Sequence, residues 1–136
     1  MKKTIIAASL LALSSTAFAG IVVIGNPGTT VALTKDQASA LYLGKSKNLP
    51  NGTKAVLMEL TDGNADRDAF HSAVTGKSSA QIKASWARLV FTGKASAPKE
   101  HSSAEVMLAA VASTAGAVGY IDESLVDGTV TVLLKP

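Results

Sequence analysis

The chain has 136 residues, 47% of them hydrophobic, with 13 basic and 10 acidic residues for a net charge of +3, and no cysteine. The missing cysteine excludes disulfides and thiolate metal sites. With only 4% aromatic residues and no basic run, a nucleic-acid-binding surface is excluded as well.

The first 19 residues read as a secretory signal peptide: a charged "MKK", the apolar stretch "TIIAASLLAL", and "AFA" at positions 17 to 19. Cleavage after Ala19 is expected, which places the protein in a bacterial periplasm. Residues 20–136 then form one domain. Without Lys2 and Lys3 the 13 basic residues become 11, against 10 acidic, so the exported chain is nearly neutral.

"GIVVIGN" is a short β-branched run closed by a Gly-Asn-Pro-Gly turn, and reads as a buried strand. In "TKDQASALYLGK", Thr34 and Gln37 have capping-box spacing. Ala38, Leu41 and Tyr42 share one helical face, and Gly44 stands where a helix-ending glycine belongs. "LPNGT" is a turn. "KAVLMEL" is a second strand, apolar enough to be buried on both faces.

A helix is expected after "DGN", with Ala69, Phe70, Ala73 and Val74 inward and Gly76 ending it. A third helix spans "SSAQIKASWARLVFTG", capped by Ser78 and Gln81, with Ile82, Trp86, Leu89 and Val90 as its stripe. "APKEH" reads as a loop. "SSAEVMLAAVAST" repeats the pattern, with Ser102 and Glu105 as the cap and Val106, Met107, Ala110 and Val111 inward. "GAVGYI" and "GTVTVLLK" are the last strands, divided by the turn at Asp127-Gly128. The order β-α-β-α-α-α-β-β predicts an α/β fold, a mixed sheet flanked by helices.

Motifs of catalysis are missing. "GKS" occurs at 44–46 and 76–78, but a phosphate-cradling loop needs a glycine five residues earlier, where Ser39 and His71 stand. His71 and His101 lack a second histidine at metal-ligand spacing, and both read as surface or boundary residues. No nucleophile-elbow pattern is present. The chain is therefore expected to be no enzyme and to need no cofactor. The pattern "NGT" at 51–53 reads as a turn.

The stretch "TDGNADRDAF" at 61–70 holds Asp62, Asn64, Asp66 and Asp68 in alternation. A calcium loop would need glycine at its sixth position and a bidentate Glu at its twelfth. Counted from Asp62, those positions are Arg67 and Ala73, so no metal site is expected. Acidic residues in a first turn complement the helix dipole, each contributing about 0.3–1 kcal/mol.

"VASTAGAVGYID" resembles the "V-x-x-T-x-G-A-I-G-Y-V" segment of periplasmic phosphate-binding proteins of ABC transporters. "IVVIGNPGTT" and the run from "LTKDQ" to "LMEL" are similar to that family's opening strand, helix, turn and strand. "DGNADRDAF" stands where the family has Asp-Gly-Ser-Gly-Thr followed by a helical Phe. The resemblance extends from about Ile21 to Leu134. It implies a single lobe of a type II periplasmic-binding-protein-like fold, where full members close two lobes on a ligand.

For function, the resemblance implies binding of phosphate or another small anion. The site would comprise Asp62, Gly63, Asn64, Ala65, Asp66 and Arg67, with Asn26, Thr29 and Thr30 from the first loop. The family pattern Arg-x-Asp-x-Ser-Gly-Thr is altered here. Its Arg position is Leu60, its Asp is kept as Asp62, and its Ser, Gly and Thr positions are Asn64, Ala65 and Asp66. A dianion wants amides, hydroxyls and a guanidinium. One added carboxylate costs about 4 kcal/mol at about 4 Å and an effective dielectric of about 20. That exceeds a hydrogen bond of about 1 kcal/mol. Arg67 either compensates over the helix N-terminus or pairs with Asp66 or Asp68. The other reading is an interaction module with a degraded anion site, forming a homodimer or meeting an inner-membrane transporter or sensor.

Overall fold

The computed structural model describes residues 20–28 and 31–136. Residues 1–19, the expected signal peptide, and Thr29 and Thr30 lie outside the described residues. The elements are β1 (Ile21–Gly25), α1 (Lys35–Tyr42), β2 (Val56–Leu60), α2 (Ala65–Val74), α3 (Ser79–Phe91), β3 (Lys99–His101), α4 (Ala104–Ser113), β4 (Ala117–Asp122) and β5 (Thr131–Leu134). A 3-10 turn at Glu123–Leu125 links the last two strands.

The five strands form one mixed sheet in the order β3-β2-β4-β1-β5. β2 runs parallel to β3 and β4, while β1 is antiparallel to both β4 and β5. β4 is central, and Ala117 to Ile121 are all buried. Alternation along β4 divides the layers. Gly119 faces α4, where an added Cβ would lie 2.9 Å from Met107 Sδ and 3.0 Å from Val111 Cγ2. That close approach is why glycine interrupts the apolar run. Tyr120 points the other way, stacking on Phe70 of α2 at 4.0 Å between ring centroids. The sheet is thus flanked by α4 on one face and by α1 and α2 on the other.

The capping boxes at Thr34–Gln37 and Ser78–Gln81 form with both reciprocal bonds. Several sequence expectations shift. β3 lies within the stretch expected as a loop; its charged residues Lys99 and Glu100 suit an exposed edge strand. The cap of α4 is Ser103, which accepts from the Val106 amide, one residue later than expected. Val90 and Val106 are 46% exposed, so the stripes of α3 and α4 are narrower than their periodicity.

The face of α2 differs most. Its buried residues are Arg67, Phe70, His71 and Val74, while Ala69 and Ala73 face solvent. Spacing i, i+3, i+4, i+7 is kept, but two of its positions are polar and were masked by smaller apolar neighbours.

Candidate functional site

β2 ends at Leu60, and the chain turns through Asp62-Gly63 into α2. Gly63 has φ of 87°, a left-handed conformation that side chains disfavour. Asn64 caps the helix, its Oδ1 accepting the Asp66 amide at 2.9 Å. The Asn64 carbonyl takes the Asp68 amide. The first-turn amides of Ala65 and Arg67 have no partner among the described residues. Such amides at a positive dipole end can receive an anion.

Arg67 is buried at 3% exposure, beneath this turn rather than over it. Its Nη1 donates to the Leu60 carbonyl at 2.7 Å and its Nε to Ser79 Oγ at 2.9 Å. A longer ion pair of 3.4 Å reaches Glu100 on β3. Asp66 and Asp68 are not its partners. Ser79, the first residue of α3, passes its own hydroxyl hydrogen to Asp62 Oδ1 at 3.0 Å. That bond, ahead of the nearby Lys83 and the Gly63 amide, holds the Asp62 carboxyl below its ordinary range. Arg67, Ser79 and Asp62 therefore form one relay of directed bonds that fixes the turn. Beside Arg67, a cavity of about 460 Å³ opens between α3 and β3, walled by Trp86, Val90, Phe91 and Pro98.

Asn26 is placed elsewhere. Its side-chain amide donates to the carbonyls of Val111 and Ala112 at 3.1 and 3.0 Å. Its Oδ1 accepts from the Gly28 amide. Gly25 pairs with Val118, and Val118 with Leu57, so Asn26 lies at the end of the sheet where β2 begins. The turn at 62–67 lies where β2 ends. The two parts of the expected site are not brought together. Thr29 and Thr30, the other residues expected from that loop, are outside the described residues.

Four residues of this region were not read as site residues from the sequence. Glu59 and His71 are buried in contact, with His71 Nε2 3.0 and 3.1 Å from the two carboxylate oxygens. The histidine is thus a core residue, not the surface or boundary residue expected. Tyr120 accepts the Leu60 amide at 3.0 Å and donates its own hydrogen to Glu59 Oε1. Ser79 completes the relay described above. The signal for Glu59 was present: one acid at an inward position of an otherwise apolar strand demands a partner.

The calcium reading finds no support in geometry. Asp62 Oδ1 and Asn64 Oδ1 each serve separate backbone amides. Among the described residues no group of three or more His, Asp or Glu side chains converges for a metal. No helix among them is long and apolar enough to cross a membrane.

Solved structures share this architecture. One, from Clostridium perfringens, is described as a phosphate ABC transporter substrate-binding protein with bound phosphate. It matches with a TM-score of 0.68 at 24% identity, over 84% of this chain and 44% of that one. An ABC-type phosphate transport receptor from Vibrio cholerae matches with a TM-score of 0.66 at 21% identity, over 84% and 45%. The fold is that of the phosphate-transport binding proteins. A third example, described as a candidate phosphate-binding protein of Planctomyces limnophilus, matches with a TM-score of 0.55 at 18% identity, over 75% and 35%. The chain spans less than half the length of these phosphate-binding-protein structures. No family model and no curated protein matches the sequence.

Proposed function

We propose that this chain is an exported, periplasmic solute-binding protein that takes a small oxyanion, phosphate foremost, at the turn from Asp62 to Arg67. It binds without catalysis and hands its ligand to an inner-membrane transporter. The observation that carries the reading is the Arg67 guanidinium docked 2.7 Å from the Leu60 carbonyl. Position 60 is where the resemblance puts an arginine. Here α2 brings a guanidinium to the backbone of that residue instead.

The ligand's chemistry follows from the donors and acceptors at hand. The unpaired amides of Ala65 and Arg67 supply hydrogen bonds, and the buried guanidinium supplies positive charge behind them. The carboxylates of Asp62 and Asp66 only accept, so a favoured ligand must bring a proton of its own. Hydrogenphosphate has one; sulfate at neutral pH does not. The names of the solved structures with this fold support the same class of ligand.

Calorimetric titration of the purified protein tests this. Saturable heats with phosphate and none with sulfate are expected, with affinity lost in Arg67→Ala and weakened in Ser79→Ala. Flat titrations with both anions, from protein whose fold is intact by circular dichroism, would overturn it.

A further inference from the structure

A second cavity, of about 590 Å³, opens at the other end of β2 from the Asp62 turn. It exists because β3 pairs with β2 only from Met58 onward, leaving Val56 and Leu57 without a strand neighbour on that side. Those two residues and Trp86 form an apolar back wall. Lys47, Lys54, Lys94 and Lys99 all line the cavity, and no carboxylate does. Residues 20–136 carry 11 basic side chains against 10 acidic ones, so placing four of the 11 around one concavity is a strong local imbalance.

None of the four ammonium groups has an ion-pair partner among the described residues. The pairs there use Arg67, His71, Lys83 and Lys135. Lysines near helix C-termini commonly complement the dipole. Here the helix ends are closed by backbone. The carbonyls of Ala40 and Leu41 accept from the amides of Gly44, Lys45 and Ser46, and those of Leu89 and Val90 from Lys94 and Gly93. The lysine side chains remain free for another role. Like charges around an apolar-walled concavity repel one another and focus a positive potential into it.

We propose that this lysine-lined cavity binds a small soluble anion carrying several phosphate groups. Ammonium groups bind phosphate as point charges. Four of them, spread over the strand start and two loops, match several charged groups better than one. The volume lies within the range of small-molecule sites, about 300–1,000 Å³. The cavity is separate from the Asp62 turn, so the site does not depend on the function proposed above.

The test is calorimetric titration of the purified protein with inorganic tripolyphosphate at low salt. Saturable binding is expected, weakened about tenfold or more in the double variant Lys54→Ala/Lys99→Ala, a loss of about 1.4 kcal/mol or more. Both lysines are exposed, so the fold is kept. Raising salt from about 20 to about 200 mM weakens binding as charges are screened, while Ser79→Ala leaves it unchanged. Absence of saturation, equal affinity in the double variant, or a comparable loss in Ser79→Ala would overturn the proposal. So would lysine-dependent sedimentation with phosphatidylglycerol vesicles in a protein that ignores tripolyphosphate, since the surface would then be reading a membrane.

Discussion

His71 of α2 places Nε2 3.0 and 3.1 Å from the two oxygens of Glu59 on β2, and both residues are almost wholly buried. The Tyr120 hydroxyl donates to the same carboxylate, having accepted the Leu60 amide. This cluster pins α2 to the strand whose end carries the Asp62 turn.

Removing one partner leaves the other buried without the bond that joined them. Glu59→Ala and His71→Ala are each expected to destabilise by about 3–5 kcal/mol. The double variant should lose clearly less than their sum, because the second substitution removes a group that has already lost this bond. Urea unfolding of the three variants measures this. Additive losses would show that the pair is not coupled.

The two core tyrosines make the protein sensitive to alkali. Burial, reinforced by the nearby Glu59 carboxylate, raises the phenols of Tyr42 and Tyr120 above their ordinary value. A folded pKa above the unfolded one, about 10, means a contribution fully present below that pH. Above it, the unfolded chain releases protons that the folded chain keeps. Stability therefore falls by up to about 1.4 kcal/mol per pH unit for each tyrosine. Urea midpoints above about pH 10 should fall steeply, and less steeply in Tyr120→Phe. Tyrosinate absorbance appearing near pH 10, with the native circular dichroism spectrum kept, would contradict the shift.

Much of this arrangement was legible in the sequence, because it is written in local chemistry. The capping boxes at Thr34 and Ser78, the helix-ending glycines Gly44, Gly76 and Gly93, and the strands β1, β2, β4 and β5 depend on neighbours in the chain. What escaped depends on contacts across the fold. β3 is a charged tripeptide, stabilised as a strand by its parallel pairing with Met58–Leu60 and carrying no periodic signal of its own. The inward face of α2 was misread because its alanines look more buriable than Arg67 and His71. Only Glu59, Leu60 and Ser79, distant in sequence, make those two polar residues suitable for a core. Of the candidate site, the turn at 62–67 stays together, while Asn26 is at the opposite end of the sheet.

Gly119 should tolerate no side chain. A Cβ there would come 2.9 Å from Met107 Sδ and 3.0 Å from Val111 Cγ2, both on α4. Gly119→Ala is expected to cost about 1–3 kcal/mol through overpacking. Thermal unfolding measures it. Adding Met107→Ala should restore part of the loss by opening room, at the expense of the methionine's own packing.

Asn26 separates structural from ligand-binding roles. Its amide nitrogen closes the C-terminal end of α4 through the Val111 and Ala112 carbonyls, while its oxygen holds the Gly28 amide. Both N–H donors of the side chain, the groups that could serve an anion, are thereby occupied. Asn26→Ala should destabilise by about 1–3 kcal/mol, since it leaves partly buried backbone groups unpaired. Phosphate affinity should stay unchanged in protein kept below its unfolding transition, because the turn at 62–67 is at the far end of β2. Calorimetry and thermal unfolding on the same preparation read both quantities. A variant of native stability with lost phosphate binding would reverse the assignment and make Asn26 a ligand-contacting residue.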